Sequence, residues 1–562
     1  MSKNSAHLSV DGISKTFPHR RVFTDITFAV PYRDRMGIIG ENGSGKTTLL
    51  QVLAGELESD AGTVNVFTAH DTTHPVGLLH QEPPFDATMT VPQVLEASVA
   101  HLRQAEADVH TAAEALAYGP HDQAVVDRYT KALDRAEQLG VWDIDARTET
   151  TIAGLGLKTV DREHTIGALS GGQRARLAMA SLLLSAPEVL LLDEPTNHLD
   201  DAAIRYLGTV IANWHGPVLI VSHDRAFLDE TVLSILDLDP APRPYALGAA
   251  EDELTTLGVT RFTGTYSDYF QARHDARQRW QHQYAEEQAQ LKRLRAAVDE
   301  HQVVGHEDWQ PRTEVRGAQK FYADRNAKVV ARRVNDARAR LAELEARQIV
   351  KPPKPLTFQG LTAAMQQDHQ AGDIDQPILR ADDVEVVNRL GSTSITISSS
   401  DKVLITGANG SGKSTLLQVF AGSLNPTRGS LHRASGVSVG MLAQESHFDD
   451  VDDETASAVY AQAVRPDLTE RVPLSTFGLL HPRDEHRPVA TLSVGQQRRL
   501  ALAILLADPP EVLLLDEPTN HLSLTLVTEL EASIEHYPGA VVIATHDRWL
   551  RNHWQGHQLH LG

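Results

Sequence analysis

The sequence contains no cysteine among its 562 residues. Disulfide bonds, zinc sites with cysteine ligands and thiol catalysis are therefore excluded. The chain also lacks an uninterrupted apolar run of about 18 residues, the length that a membrane-spanning helix needs. The first residues, MSKNSAHLSVDG, lack the apolar core of a signal peptide. We expect several folded domains in a reducing compartment, the cytoplasm.

Positive charge is scarce as well, since 52 lysines and arginines face 74 aspartates and glutamates, a net charge of −22. Such a balance argues against a nucleic-acid partner, but the charge is unevenly distributed. Residues 261–354 carry 19 basic and 13 acidic side chains, a net charge of +6, which leaves −28 for the remainder. Because salt screens charges over about 8 Å, a local basic face on an acidic protein can still bind RNA phosphates. A solvated helix face is the alternative.

A glycine-rich motif follows the apolar run Met36–Ile39, which we expect to form a buried strand. The motif, GENGSGKTT at residues 40–48, fits the P-loop pattern G-x-x-x-x-G-K-[ST]. Its glycines let backbone N–H groups turn towards phosphate oxygens, and a helix from Thr47 to about Leu53 would point its positive end at them. Lys46 would reach the terminal phosphates, and the Thr47 hydroxyl would bind Mg²⁺. The expected ATP-binding residues are Gly40, Asn42, Gly43, Gly45, Lys46, Thr47 and Thr48.

A second apolar run, EVLLLDE at residues 188–194, ends in two carboxylates. The end of a buried strand would place Asp193 beside Mg²⁺ and Glu194 beside the attacking water of a hydrolysis reaction. An acidic pair can instead cap a helix, but its position after a P-loop favours catalysis. His223, which follows the apolar run Pro217–Val221, is the histidine of this half that we select as a candidate.

The second half of the chain repeats these motifs in the same order. GANGSGKST at residues 407–415 is a second P-loop, and EVLLLDE at residues 511–517 is a second carboxylate strand. Asp193 and His223 are 30 residues apart, and so are Asp516 and His546. The sequence therefore indicates a duplication. The expected residues of the second site are Gly407, Asn409, Gly410, Gly412, Lys413, Ser414, Thr415, Asp516, Glu517 and His546.

Two further motifs carry a family resemblance. LSGGQ at residues 169–173 and LSVGQ at residues 492–496 resemble the signature of ATP-binding cassette ATPases, and Gln81 and Gln444 precede them in family order. The resemblance implies that each glutamine senses Mg²⁺ and the γ-phosphate, and that His223 and His546 contact the γ-phosphate. It also implies that Phe17 stacks on adenine, although a core phenylalanine is the alternative.

The same resemblance implies composite sites, because in this family the signature of one cassette covers the ATP held by the other. Both cassettes are in one chain, so a monomer suffices. The implied Mg²⁺ ligands are Thr47, Gln81 and Asp193 at site one, and Ser414, Gln444 and Asp516 at site two. Site one would be completed by Ser493, Gly495 and Gln496, and site two by Ser170, Gly172 and Gln173.

The two halves also differ at motif positions. The second half has Val494 in place of Gly171 and Ser523 in place of Asp200. It also lacks an aromatic residue at 384–388, where Phe17 would map. These departures argue against equal nucleotide affinity and equal turnover at the two sites, although both catalytic glutamates are present.

Residues 261–354 contain two helical patterns. Ser267–His301 has neither proline nor glycine, and at about 1.5 Å per residue it would span about 50 Å as a helix. The return segment, about Gln319–Gln348, carries apolar residues with heptad spacing. Two such helices predict an antiparallel coiled-coil hairpin with its tip at Val303–Gly317. The seam of the return segment consists of Val330, Val334, Ala337, Leu341 and Leu344.

Two cassettes joined by such a hairpin, without a membrane domain, resemble the ABC-F family over nearly the whole chain. Members of that family bind the ribosome, and their linker enters the tRNA exit site towards the peptidyl-transferase centre. The resemblance implies the 50S subunit, its rRNA and the P-site tRNA as partners, with ATP and Mg²⁺ as cofactors. Trp309 can also pack within the tip. The residues expected to face RNA are Trp309, Arg312, Arg316, Lys320, Arg325, Lys328, Arg332 and Arg333.

The expected architecture is α/β, with two P-loop cassettes in tandem joined by a long α-helical hairpin. The first cassette should cover residues 1–240, with a surface helical insertion at about 91–140. The linker should cover residues 241–355 and the second cassette residues 356–562.

Three functions are compatible with the sequence. The hairpin length and the divergent second cassette favour antibiotic resistance by ribosome protection. A housekeeping ABC-F translation factor is the first alternative. The ATPase subunit of a drug exporter is the second, and it leaves the basic hairpin unexplained. The resemblance leaves the drug class open among macrolides, lincosamides and streptogramins.

Overall fold

The protein is represented by a computed structural model. It describes residues 7–18, 20–40, 43–68, 75–80, 85–118, 122–197, 199–238, 256–257, 259–300, 332, 334–349, 351–352, 377–408, 410–444, 448, 451, 453–477, 479–480, 482, 484–519 and 524–562.

Two sheets with helices on their faces form the first cassette. Its strands are β1 (His7–Phe17), β2 (Arg20–Val30), β3 (Arg35–Ile39), β4 (Ala61–Phe67), β5 (Val76–Leu79), β6 (Val189–Asp193), β7 (Val218–Val221), β8 (Ser234–Asp237), β9 (Thr256–Leu257) and β10 (Thr260–Thr263). One sheet has the order β4-β1-β2-β9, and its first three strands are antiparallel. The other has the order β10-β8-β3-β7-β6-β5 and is parallel except for β10.

The central strands β3, β6 and β7 are buried along their whole length. Helices cover both faces of such a parallel sheet, which explains the uninterrupted runs of valine, leucine and isoleucine. The helices of this cassette are α1 (Lys46–Leu53), α2 (Val91–Tyr118), α3 (Gln123–Leu139), α4 (Ile144–Gly154), α5 (Gly171–Ser185), α6 (Asp201–Asn213) and α7 (Arg225–Thr231).

Helices α2 and α3 lie in the segment where the sequence predicts an insertion. The Asp122 side chain caps α3 by accepting a hydrogen bond from Val125 N–H. The helix ends at Leu139 and is capped by Gly140, whose φ of 60° suits glycine. One face of α2 is buried, and Ser98 bonds Ser181 of α5 at 2.7 Å. The helical pair is therefore attached to the helix that begins with the first signature.

The second cassette repeats this plan with a smaller set of helices. Its strands are β11 (Pro377–Val386), β12 (Leu390–Ser398), β13 (Lys402–Gly407), β14 (Arg428–Arg433), β15 (Val439–Leu442), β16 (Val512–Asp516), β17 (Ala540–Ala544) and β18 (His557–Leu561). The order β12-β11-β14 is antiparallel, and the order β15-β16-β17-β13-β18 is parallel.

The main linker helix, α8, spans Tyr266–Glu300, close to the predicted Ser267–His301. The helices of the second cassette then follow as α9 (Lys413–Ala421), α10 (Ala456–Ala463), α11 (Pro466–Arg471), α12 (Val494–Ala507), α13 (Leu524–Glu535) and α14 (Arg548–His553). Among the described helices, none combines the length and the apolar character that crossing a bilayer requires.

Residues 334–347 form a return helix beside α8. Arg295 bonds Glu345 at 2.8 Å, and Ile349 N–H donates to Glu287 at 3.1 Å, so the two helices run antiparallel. The seam positions Val334, Ala337, Leu341 and Leu344 are half-buried, whereas most residues between them are exposed. The seam residue Val330 and the tip Val303–Gly317 lie outside the described residues.

The two cassettes meet at a joint between α7 and α14, built around the 1% exposed side chain of Arg225. Its guanidinium forms a bidentate pair with Glu531 and donates to Asp547 at 3.0 Å. It also lies 5.5 Å from the ring centroid of Trp549. Burial opposes the charged form, but the two carboxylates outweigh it and raise the pKa of Arg225. A cation of the first cassette thus neutralises two anions of the second.

Arg225→Ala should lower the free energy of unfolding by about 3–5 kcal/mol, because it leaves the carboxylates of Glu531 and Asp547, which are only 19% and 9% exposed, without their counter-charge. Urea denaturation followed by tryptophan fluorescence would measure this loss. The control is Arg551→Ala, which removes a 3.2 Å pair with Asp201 between side chains that are 30% and 49% exposed. An exposed pair of that kind contributes less than about 1 kcal/mol. Equal losses in the two variants would contradict this account of the joint.

Candidate functional site

The motifs of each half converge at one edge of its parallel sheet. Val221, the last residue of β7, is in register with Ile38 of β3 and with Asp193 of β6. Because parallel strands end at the same edge, the P-loop after β3, the carboxylates after β6 and His223 after β7 lie together. The second cassette repeats this register at Ile405, Asp516 and Ala544.

The two P-loops have the same backbone conformation. Gly43 and Gly45 have φ values of 85° and 97°, and the equivalent Gly410 and Gly412 have the same two values. Positive φ favours glycine, and at Gly45 a Cβ atom would also lie 2.3 Å from Val22 Cγ1. A helix begins directly after each loop. Its first backbone N–H groups therefore point at the space where a phosphate would lie.

The lysine of each P-loop is held at the loop by backbone carbonyls. Lys46 Nζ donates to Gly40 O at 2.8 Å. Lys413 Nζ donates to Gly407 O at 2.9 Å and to Ala408 O at 3.1 Å. Each ammonium group is thus positioned beside the helix N-terminus, where both would attract the same anion.

The hydroxyl group that follows each lysine bonds the first carboxylate of the strand. Thr47 bonds Asp193, and Ser414 bonds Asp516. Burial raises the pKa of both carboxyl groups, and these hydroxyl bonds oppose the shift. A hydroxyl and a carboxylate side by side match the pair that holds Mg²⁺ in P-loop ATPases.

Glu194 has a left-handed backbone, with φ of 50°. Its carboxylate accepts a hydrogen bond from His223 N–H at 3.1 Å and lies 3.2 Å from His223 Nε2. Burial raises the pKa of Glu194 to about 8, although the bond from His223 N–H lowers it. A carboxyl group with a displaced pKa, carried on a strained backbone at a strand end, is typical of a catalytic position.

Glu517 repeats this geometry in the second cassette, with φ of 47°. It accepts hydrogen bonds from the Thr545 hydroxyl at 3.1 Å and from His546 N–H at 3.3 Å. His546 Nδ1 lies 2.8 Å from a carboxylate oxygen of Glu517. This hydrogen bond raises the pKa of His546, and burial opposes the rise. The glutamate and histidine selected from the sequence are thus in contact in both halves.

Three buried polar atoms at the two loops have no hydrogen-bond partner within the described ranges, namely Ser44 Oγ, Ser411 Oγ and Asp516 Oδ1. The oxygens of a phosphate and a Mg²⁺ ion would supply partners for them. No cluster of three or more His, Asp or Glu side chains suited to a metal ion occurs in the part of the chain that the structure describes. A Mg²⁺ ion here would take most ligands from phosphates and water, as is usual beside a nucleotide.

The two signatures begin helices α5 and α12 with the same capping box. Ser170 Oγ accepts from Gln173 N–H at 3.2 Å, and the Gln173 side chain accepts from Ser170 N–H at 2.9 Å. Ser493 and Gln496 repeat this arrangement. Both serines are exposed, so each helix presents its N-terminus at the surface. The pairing of each signature with the opposite P-loop stays a prediction. Gly172 and Gly495 lie in the first turns of these helices.

Phe17 ends β1 and is 42% exposed, so it is not a core residue. Lys15 Nζ lies 5.9 Å from its ring centroid. In the second cassette the turn after β11 presents Val387, which is 52% exposed. Val387 N–H donates to Thr427, as Thr16 N–H donates to Asp60 in the first cassette. Val387 therefore takes the position of Thr16, and the aromatic ring of Phe17 has the exposed, polar Asn388 as its counterpart.

Several selected residues lie outside the described ranges: Asn42, Gln81, Asn409, Trp309, Arg312, Arg316, Lys320, Arg325, Lys328 and Arg333. Gln444, which follows β15, and Arg332 are described, and both are exposed.

Two buried arginines were missed by the sequence analysis. Arg225 and Arg498 are each 1% exposed and are among the largest fully buried side chains of the described residues. Arg225 follows the His223-Asp224 pair, and Arg548 occupies the equivalent position after His546. Arg498 replaces an alanine of the first half. A comparison of the two repeats would have revealed both positions, although not their burial.

Known families and proteins resemble this chain over most of its length. A family model described as "ABC transporter" matches residues 23–197 and 390–520, together more than half of the chain. The tylosin resistance ATP-binding protein TlrC of Streptomyces fradiae is 36% identical, across 99% of this chain and 97% of the relative. The putative ATP-binding protein YdiF of Bacillus subtilis is 30% identical, across 97% and 78%. The energy-dependent translational throttle protein EttA of Mycobacterium tuberculosis is 29% identical, across 96% and 88%.

Two solved structures share the fold. A crystal structure of the archaeal ribosome recycling factor aABCE1 with the stalk protein aP1 has a TM-score of 0.51 at 17% identity, covering 95% of this chain and 84% of that one. RNase-L inhibitor has a TM-score of 0.50 at 18% identity, covering 96% and 85%. Likeness at this identity concerns the fold alone. The expected α/β class with two cassettes in tandem is confirmed.

Glu194→Gln should stabilise the nucleotide-free protein, by an amount that grows with pH. Folding raises the pKa of this carboxyl group from its usual 4.5 to about 8. Between those values the folded protein keeps a proton that the unfolded chain releases, so wild-type stability falls as pH rises. Glutamine carries no such proton. The difference in melting temperature should therefore be small near pH 4.5 and largest near pH 8.

The control for this prediction is Glu149→Gln, at an exposed carboxylate paired with Arg162. Its difference from wild type should stay nearly constant over the same range. A constant difference for Glu194→Gln as well would show that burial does not displace the pKa of that group.

Proposed function

Because this chain belongs to the ABC-F family of ATP-binding cassette ATPases and is an ATP hydrolase, we propose that it binds the ribosome and confers antibiotic resistance by target protection. ATP would close the two cassettes on each other. The linker would then reach through the tRNA exit site towards the peptidyl-transferase centre and displace the drug. The observation that carries this proposal is the position of the linker root, at the joint between the cassettes.

The root of α8 is attached to the first cassette by a buried polar cluster. Tyr269 donates to Asp237 at 2.6 Å, and Arg273 donates to the same carboxylate at 3.1 Å. Asp237 ends β8 and is in register with Ile39, the residue before the P-loop. Ser267 N–H, in the first turn of α8, donates to a carboxylate of α7 at 2.7 Å. The helix is therefore anchored on the strand that neighbours the P-loop strand.

The same root also touches the second cassette. Tyr266, which is 2% exposed, packs edge-on against Trp549 of α14, with ring centroids 5.7 Å apart. Trp549 is three residues after His546 and in contact with Arg225. A rotation of one cassette against the other would change this contact and tilt α8. This arrangement supports a linker that is driven by nucleotide-dependent closure.

For the chemistry of site one, Glu194 would orient the attacking water and accept its proton, while His223 would contact the γ-phosphate. The raised pKa of about 8 keeps much of this carboxyl group protonated at neutral pH, so it must ionise before it can act as a base. Thr47 and Asp193 would hold Mg²⁺, which neutralises phosphate charge. Site two would use Glu517, His546, Ser414 and Asp516 in the same roles.

The choice of target protection rests on the relatives and on the linker. TlrC is named for tylosin resistance and matches nearly the full chain at 36% identity. The basic return segment of the linker suits rRNA phosphates, which attract Lys and Arg regardless of sequence. A monomer is sufficient for this action, with the 50S subunit and P-site tRNA as partners. A housekeeping translation factor is the second candidate, because EttA matches at 29% identity.

The double variant Glu194→Gln with Glu517→Gln should bind ATP without hydrolysing it. The clamp should then stay closed on the ribosome and inhibit translation. The measurement is co-sedimentation with 70S ribosomes in the presence of ATP, together with cell-free protein synthesis. The matched control, Glu188→Gln with Glu511→Gln, changes the same residue type at the opposite ends of β6 and β16. If the catalytic double variant sediments free of ribosomes, ribosome binding is the wrong proposal.

Expression in a drug-sensitive host should raise tolerance to at least one 50S inhibitor, and tylosin belongs in the panel. Replacing the tip Val303–Gly317 by a short glycine-serine turn should abolish this tolerance while ATPase activity persists. Retained tolerance with reduced drug accumulation would instead favour the exporter. Unchanged tolerance across the whole panel, combined with ribosome trapping by the double variant, would favour the housekeeping factor.

A further inference from the structure

Arg498 is a buried cation in helix α12 that bonds only backbone carbonyls in the contacts that the structure shows. It is 1% exposed. Its guanidinium donates to Asp516 O at 2.5 Å, to Glu517 O at 2.7 Å and to Gln444 O at 3.2 Å. Three carbonyl groups from two separate loops thus converge on one side chain. Such a charge-assisted cluster fixes the relative positions of its three segments.

The segments that Arg498 joins belong to different composite sites under the proposed function. Gln444 and Glu517 serve site two, which holds its ATP on the second P-loop. Helix α12 begins at the second signature, where Ser493 caps its N-terminus, and this signature completes site one. Arg498 lies five residues after Ser493, in the second turn of the same helix. It therefore connects the polar groups of site two with the surface offered to site one.

The described residues of the first cassette show no such connection. The residue equivalent to Arg498 is Ala175, which has no group that could donate a hydrogen bond. The arginines on either side do not take its place in the contacts that the structure shows. Arg174 donates to Leu169 O, and Arg176 donates to Gly172 O and Gly156 O. These acceptors lie at the signature and in the turn after α4, away from the carboxylate strand β6.

We propose that Arg498 is a positioning residue through which the nucleotide state of site two sets the hydrolysis rate at site one. Binding affinities coupled through this contact are reciprocal, whereas hydrolysis rates need not be. When ATP binding or hydrolysis at site two moves the backbone at Gln444 or Glu517, Arg498 moves α12 and thereby the signature that covers site one. The signature that covers site two is on α5, where Ala175 cannot tie the helix to Glu194, so the hydrolysis rate at site two is not set in the same way. This inference rests on the composite sites of the proposed function.

The experiment compares hydrolysis at one site while the other is either occupied or empty. Glu517→Gln keeps ATP at site two, and Lys413→Ala empties it, so the ratio of site-one rates in these backgrounds measures coupling from site two to site one. The reverse ratio compares the site-two rates in the Glu194→Gln and Lys46→Ala backgrounds, and it measures coupling from site one to site two. Arg498→Met keeps the volume and removes the donors. With Arg498 in place, the first ratio should be at least about three. Arg498→Met should bring this ratio close to one and leave the reverse ratio unchanged.

Two further variants separate positioning from folding. Arg498→Lys keeps the charge, but one ammonium group spans fewer carbonyls than a guanidinium, so an intermediate ratio is expected. Arg499→Met, a change of the same type at the next position, should leave the ratio at its starting value. Melting temperatures of all variants are recorded, and Arg498→Lys carries the test if Arg498→Met fails to fold.

The outcomes distinguish this inference from the proposed function. If Ser493→Ala has no effect on site-one hydrolysis in the Glu517→Gln background, the composite sites themselves are wrong. If Ser493→Ala abolishes that hydrolysis but Arg498→Met leaves the first ratio unchanged, or changes both ratios equally, the role of Arg498 is overturned alone. A starting ratio of one also overturns it, because there is then no coupling to transmit.

Discussion

The buried guanidinium of Arg225 is the interaction on which the arrangement of the two halves depends. It belongs to the first cassette and pairs with Glu531 and Asp547 of the second. Removing a buried cation from between two carboxylates is costly, so the cassettes are expected to pivot about this bond rather than separate at it. Because Arg225 is two residues after His223, and Asp547 directly follows His546, the joint also lies at the base of both histidine loops.

Much of the fold and of the two sites follows from local sequence pattern. The buried strands end where the apolar runs end, and the glutamate and histidine that the motifs mark in each half are in contact. The equal spacings indicate only a duplication, so the contact itself comes from the structure. The limits of α8 are close to those of the segment without proline or glycine. The described residues with heptad spacing in the return helix are half-buried. The joint could not be predicted, because Arg225 and Glu531 are 306 residues apart and a charged side chain is ordinarily a surface residue.

The duplicated halves keep the backbone of the ATP sites and differ in the side chains around it. The φ angles of both P-loops and of both catalytic glutamates agree within a few degrees. By contrast, exposed Phe17 corresponds to exposed Asn388, and Arg498 corresponds to Ala175. The backbone angles are constrained by phosphate geometry and strand ends. The surrounding side chains are free of that constraint, so differences between the sites concentrate there.

The contacts at the root of α8 allow a small displacement at its first residue to become a larger displacement at its far end. Asp237 holds α8 through hydrogen bonds to Tyr269 and Arg273, and Trp549 packs against Tyr266, the first residue of the helix. From Tyr266 to Arg273 is about 10 Å along the helix, and from Arg273 to Glu300 about 40 Å. A rigid helix pivoting at Arg273 would therefore enlarge a shift of the tryptophan about fourfold at Glu300. Any positional variation at the contact between Tyr266 and Trp549 would be enlarged by the same factor. This contact therefore limits how precisely the far end of α8 can be positioned.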